Sequence, residues 1–417
     1  MNHQILKKII YEQHEVIKNS LIVERDVFLE KDANYVLVGL RRAGKSTMLY
    51  KRVQDLIKEG VEWNQIIYIN FDDERLLEFN VNDFEDILLV AEEMSNKKHY
   101  FYFDEIQEID NWEYFALRIA NQGLKVDITG SNAKMLSREI EGKLGGRYIS
   151  KEILPYSFKE YLRANKINEE AYIPKDIANI NLALEQYFVY GGFPASINFF
   201  DKREYVSNVY KKVLYGDIVS RHNIRNENSL KLLIKKLTET ICQDISYTRL
   251  QNLITGIGYK ISKDVLIDYC YYCEEAFLIF NLKNYFGSFT DKNSNNKFYF
   301  RDNGIVNLFL EDKRSSLLEN IVAIYLYNNY KEHLYYLKGN KVDIDFYLAN
   351  KEVALQVAYS LDQNCYDREI NSLIEFKKNN EKAKLIIVTY DEEKVINQND
   401  VIINVISLKN FLLSKIW

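Results

Sequence analysis

Between residues 34 and 153, short runs of continuous apolar residues alternate with longer stretches of helical period. The apolar runs are NYVLVG (34–39), IIYINF (66–71), YFYFD (100–104), VDITG (126–130) and YISKEI (148–153). Apolar strands separated by helices predict a parallel sheet buried on both faces. A helix at 4–19 leads into this block, and Pro155 closes it. Residues 156–235 read as mostly helical, interrupted by YGGFP (190–194). Residues 244–280 predict helix, glycine-bearing turn, helix, with Ser262 capping the second helix. AFLIFNLKNY and NKFYFRD, joined by polar GSFTDKNSNN, then predict a hairpin, which completes a winged-helix pattern. A helix at 315–330, strands LYYLKG, VDIDFYL, EVALQVAYS and AKLIIVTY, and a helix at 365–379 predict a second α/β unit.

The chain has 417 residues, enough for two to four domains, and 47% of them are hydrophobic. Its 55 basic and 60 acidic residues leave a net charge of −5, which argues against a globally basic nucleic-acid binder. No apolar run approaches the length of a membrane helix, and no amphipathic basic helix stands out, so no membrane partner is expected. The first residues lack the layout of a signal peptide, and there are four cysteines, so a cytoplasmic location is expected. Cys270 and Cys273 form a single CYYC on a helical stretch. With no second pair nearby they read as buried thiols rather than a metal site.

The chemistry concentrates in the first block. GLRRAGKST (39–47) fits the G-x-x-x-x-G-K-[ST] phosphate loop, follows an apolar strand and opens a helix. Gly39 and Gly44 let the backbone wrap a phosphate, while Lys45 would reach its β- and γ-oxygens and Ser46 would ligate Mg²⁺. Arg41, Arg42, Ala43 and Thr47 complete the nucleotide-binding candidates. The strand YFYFD ends in Asp104, a second Mg²⁺ ligand, and Glu105 follows where a carboxylate can polarise the attacking water. ATP and Mg²⁺ are therefore the expected cofactors. Ser131 and Asn132, after the fourth strand, suit either the γ-phosphate and its water or a helix cap. Arg147, after two glycines, is either a surface residue or an arginine aimed at a neighbouring subunit's nucleotide.

GLRRAGKST, YFYFDEIQEI, ITGSNAKML, LGGRY and LPYSFKEY, in this order and spacing, resemble the AAA+-type P-loop ATPases of archaea and anaerobic bacteria. YGGFP, LYGDIVSR (214–221), FYFRDNG (298–304), LLENIVAIYLY and KVDIDFYL continue the resemblance over nearly the whole chain. It implies an α/β fold: an AAA+ P-loop parallel sheet, a helical lid and winged-helix region, and a small restriction-endonuclease-like α/β domain. The boundaries expected are a lead-in over 1–31, the ATPase core over 32–155 and a helical region over 156–235. A winged-helix segment over 236–300 and the endonuclease-like domain over 301–417 follow. The resemblance further implies ATP hydrolysis and homo-oligomers.

In that resemblance an active nuclease carries an acid on a helix, an Asp on a strand and E-x-K on the next strand. Glu319 fits the first and Asp343 or Asp345 the second. Gln356 and Ala358 stand where Glu and Lys are needed, although Lys341 and Lys351 lie close by. Gln brings no charge and Ala cannot stabilise a developing anion, so the expected reading is a retained fold without its chemistry. The winged-helix segment SKDVLIDYCYYCEEA carries one lysine and four acids, poor for phosphate contact. VSRHNIRN (219–226) is basic and suits a nucleotide, a neighbouring subunit or a solvated helix end. The functional expectation is an ATPase driving a DNA- or protein-directed process. A nucleotide-dependent assembly switch and an ATP-driven nuclease are the alternatives.

Overall fold

The computed structural model describes residues 1–413 except 137, 171, 289–294, 311, 312, 340 and 362. Most of the polar linker expected within the hairpin therefore lies outside the described residues. The chain divides into two compact units: Met1–Pro155 with Glu275–Phe277, and Tyr156–Glu274 with Leu278–Trp417.

The first unit is built on five strands: β1 (Asn34–Val38), β2 (Ile66–Asn70), β3 (Tyr100–Asp104), β4 (Lys125–Gly130) and β5 (Tyr148–Glu152). They lie in the order β2-β3-β4-β1-β5, every neighbouring pair parallel. The helices are α1 (His3–Asn19), α2 (Lys45–Lys58), α3 (Phe84–Met94), α4 (Trp112–Asn121) and α5 (Arg138–Lys143). Helices α1 and α2 press Ile17, Leu49 and Val53 onto Leu37, Ile66 and Tyr68 of the sheet. The inner strands are mostly apolar, apart from the buried Asp127 of β4, which pairs with Arg52.

The second unit begins with α6 (Phe158–Ala164), α7 (Pro174–Tyr190) and α8 (Lys202–Lys212). A π-helical stretch, Val213–Ser220, prolongs α8, and α9 (Glu227–Glu239) follows. Next come β6 (Asp244–Ser246), α10 (Tyr247–Gly256), α11 (Lys263–Glu275), β7 (Ile279–Lys283) and β8 (Asn295–Phe300). The three strands form an antiparallel sheet in the order β6-β8-β7. Residues 244–246, expected within a helix, are thus a strand. They pair with β8, and Ser246 starts α10 by accepting a hydrogen bond from the Arg249 N–H. Ser262 accepts from the Val265 N–H at the head of α11.

The chain then forms α12 (Asn303–Phe309), α13 (Arg314–Tyr330), β9 (Leu334–Gly339), β10 (Val342–Leu348) and β11 (Val353–Val357). It ends with α14 (Gln363–Asn379), β12 (Lys384–Thr389), β13 (Lys394–Gln398), β14 (Val401–Ser407) and α15 (Leu408–Leu413). The sheet order is β13-β14-β12-β11-β10-β9. The hairpin β13–β14 extends beyond the expected strands. Asn399 and Asp400 both take positive φ between them, the backbone of a tight two-residue turn.

The motifs around residues 190 and 300 meet in this unit. The Asp302 carboxylate accepts the N–H groups of Gly192 at 2.7 Å and Gly304 at 2.8 Å. A Cβ on Gly191 would overlap that carboxylate. Asn303 donates to the carbonyls of Phe188 and Leu317, and Asn320 donates to Asn303. These glycines and polar residues therefore form a buried clasp joining α7, α12 and α13.

Candidate nucleotide site

The phosphate loop connects β1 to α2. Gly39 has φ +145°, and a Cβ there would lie 2.1 Å from the Ile153 carbonyl oxygen. Gly44, at the head of α2, has φ +102°. Both positions therefore need glycine. Arg42 also takes a positive φ and is exposed. Ala43 is buried, and its carbonyl is held by Arg25, which also reaches the Leu154 carbonyl at 2.7 Å. Ser46 and Thr47 lie half-buried in the first turn of α2.

Lys45 is only 4% exposed. Its ammonium folds back to the carbonyls of Gly39 (3.1 Å) and Leu40 (3.4 Å) and lies 3.7 Å from Glu105. Asp104, at the end of β3, is buried and receives hydrogen bonds from Thr129, from the Tyr68 hydroxyl at 2.8 Å and from Ser46. Thr129 also accepts the Glu105 N–H at 3.0 Å, so this one hydroxyl sets the geometry of both acids. Glu105 adopts a left-handed backbone conformation that turns its side chain back toward the loop.

The two neighbouring carboxylates are held differently. Burial and the charge of Glu105 push Asp104 above the usual carboxylate range. Burial also pushes Glu105 upward, but Lys45, Arg41 and the Gln107 amide outweigh it and hold Glu105 below its ordinary value. Glu105 is thus kept ionised and Asp104 is short of positive charge. A hydroxyl and a carboxylate, both hard oxygen donors, are the set Mg²⁺ takes when nucleotide phosphates supply other ligands. Ser46 and Asp104 fit that role.

Arg41 is tied to Asp72 at 3.1 Å. Ser131 lies 3.5 Å from the Gln107 amide, which in turn bonds Glu105 at 2.6 Å. Asn132 accepts the Lys134 N–H, the geometry of a cap for the short turn Ala133–Leu136. Of the first-block candidates, Arg147 stands apart. It precedes β5, so it lies at the end of the sheet opposite the phosphate loop, exposed and bonded to Asn121. There it lines a cavity of about 760 Å³ with Lys31, Arg52 and Lys125. Sequence reasoning missed Arg25, Tyr68, Gln107 and Thr129. Nothing in their spacing distinguishes them from ordinary strand and loop residues.

Two comparisons with known proteins bear on this geometry. Residues 31–162 match a family described as an AAA domain, and residues 181–316 match a domain of unknown function, DUF8612. The uncharacterized protein MJ1544 of Methanocaldococcus jannaschii is 33% identical over 407 residues, covering 93% of this chain and 90% of that one. The chain belongs to the same family as MJ1544, and its residues 31–162 are an AAA domain. An uncharacterized protein of Haemophilus influenzae is 28% identical over 400 residues, 91% of this chain and 97% of its own. Among solved structures, the Walker-type ATPase PABY2304 of Pyrococcus abyssi is similar at a TM-score of 0.42 and 14% identity. The match covers 72% of this chain and 94% of that one. Among the described residues, no helix is long and apolar enough to cross a membrane.

The C-terminal acids form a second cluster. Asp345, not Asp343, meets Glu319; Asp343 is exposed. Gln356 accepts the Asp345 N–H and donates to the Asp343 carbonyl and to Glu369, so its amide is spent on structure. Ala358 packs into the apolar core, and Lys341 and Lys351 are both exposed. The ammonium that reaches the acids is that of Lys297 on β8. Among the described residues, no group of three or more His, Cys, Asp or Glu side chains could hold a metal ion.

Proposed function

We propose that this AAA+ protein binds ATP with Mg²⁺ through Lys45, Ser46 and Asp104 and hydrolyses it with Glu105 orienting the attacking water. Turnover drives a DNA- or protein-directed process in a homo-oligomer. The observation that carries the reading is the convergence of Lys45, Ser46, Asp104 and Glu105 behind two glycines that a side chain would disrupt. Ser131, through Gln107, supports the position of Glu105, and Asn132 stands beside it. Arg147 serves a neighbouring subunit's nucleotide, which accounts for its place at the far end of the sheet.

An assembly switch with slow turnover is the second reading. What favours it is that separation, since hydrolysis that needs a neighbour's arginine reports on assembly. Leu253, Val265 and Tyr271 are exposed on α10 and α11, a composition that suits a protein contact better than a phosphate backbone. Nuclease chemistry is not part of the proposal, because Gln356 and Ala358 supply neither metal charge nor an ammonium. The test is steady-state ATP hydrolysis by wild type and Lys45→Ala, with and without duplex and single-stranded DNA. Hydrolysis lost in Lys45→Ala is expected. Stimulation by DNA selects the DNA-directed process, and a slow rate indifferent to DNA selects the switch. Equal rates in wild type and Lys45→Ala overturn the reading.

A further inference from the structure

Lys297 is 2% exposed, on a strand whose alternate residues Phe298 and Phe300 are also buried. Its ammonium lies 2.9 Å from Asp345 Oδ1 and 3.4 Å from Glu319 Oε1. The acids come from α13 and β10, and the lysine from a different sheet. Each acid has further fixed donors: Tyr299 O–H to Glu319 at 2.7 Å, and Val357 N–H to Asp345 Oδ2 at 3.0 Å. The Cys242 thiol also bonds Glu319. Beyond them Gln356 bridges to Glu369, whose other oxygen is held by Arg368. With Glu319 buried and Asp345 half-buried, two carboxylates placed this way need a cation between them. The lysine side chain is itself buried, and its ammonium is spent on the two acids.

We propose that the Lys297 ammonium takes the place of a divalent cation between Glu319 and Asp345, making this cluster a latent metal site closed by the protein's own charge. The lysine stem fixes that cation to β8, so the small antiparallel sheet is fastened to β10, the strand next to the edge of the C-terminal sheet, without an exchangeable ion. Two carboxylates with water suffice for Mg²⁺ or Mn²⁺ once the ammonium is withdrawn. The inference is independent of the nucleotide reading.

The test is Mn²⁺ titration of nucleotide-free, full-length protein, with free Mn²⁺ followed by electron paramagnetic resonance. Any Mn²⁺ held at the phosphate loop is common to all variants and cancels. Lys297→Ala is expected to bind one Mn²⁺ per chain more than wild type, and to melt higher when Mn²⁺ is added. The double variant Lys297→Ala, Asp345→Asn is expected to lose both effects. A folded Lys297→Ala without the extra Mn²⁺ overturns the proposal, as does a wild-type site that disappears in Asp345→Asn. If Lys297→Ala fails to fold alone, it is refolded with and without Mn²⁺. Recovery with the metal alone supports the proposal, and failure in both overturns it.

Discussion

At the scale of single residues, Glu105 and Thr129 make separable predictions. Replacing Glu105 by Gln keeps its size but removes the charge that faces Lys45 and orients water. ATP hydrolysis should fall roughly 10²–10⁴-fold while nucleotide binding persists, so that ATP is trapped. Single-turnover hydrolysis beside equilibrium binding checks this, and equal loss of both would displace Glu105 from the hydrolytic step. Thr129→Val acts one step back. It removes the donor to Asp104 and the acceptor of the Glu105 N–H. Leaving buried polar groups unpaired should cost about 1–3 kcal/mol, read by urea denaturation, and should weaken Mg²⁺-dependent nucleotide binding. The phosphate loop and the two acids were legible in the sequence because their spacing carries the chemistry. Thr129 was not, since a threonine at the end of an apolar strand gives no sign of which neighbour it will face. Lys297 was hidden for a related reason. A lysine in a hairpin strand is ordinarily solvated, and only the placement of α13 and β10 makes it interior.

At the scale of elements, the helix and strand pattern of the first unit could be read because continuous apolar runs mark a doubly covered sheet. The pairing of Asp244–Ser246 could not, because three residues carry no period. It depends on β8, which lies about fifty residues further along the chain. The clasp at Asp302 predicts a pH effect. Burial pushes this carboxyl up to about 7 despite the N–H groups of Gly192 and Gly304. The native state therefore holds the proton more tightly than the unfolded chain, where the value is about 3.9. The stability gained from the neutral form is complete below that lower value and is lost as pH rises through 7. Glu369, also pushed up to about 7 by burial and by Asp345, acts with the same sign. Unfolding in urea should show a smaller free energy at pH 8 than at pH 5. Asp302→Asn, which cannot titrate, should remove part of that slope. An unchanged slope would show that the carboxyl is ionised throughout.

At the scale of the molecule, the opposite placement of Arg147 and the phosphate loop predicts complementation. Arg147→Ala should bind ATP and fail to turn it over, and Lys45→Ala should do neither. Mixed one to one, each supplies what the other lacks at a head-to-tail contact, so random pairing should restore about a quarter of wild-type hydrolysis. Absence of any recovery, with mixed assembly verified, would return Arg147 to an ordinary surface role.

The clasp has a consequence for the birth of the chain. Gly192 and its neighbours acquire their buried carboxylate only after Asp302 has been made, 110 residues later. Domains ordinarily fold as the ribosome releases them. The first unit has its whole sheet by Pro155, but α7, although it meets Phe158 and Tyr161 at once, must wait more than a hundred further residues for α12 and α13 to cover its other face. A nascent chain stalled in that interval presents a finished ATPase fold trailing a sticky, unfinished helix. Through this window the surface that α12 and α13 later cover stays open on the nascent chain.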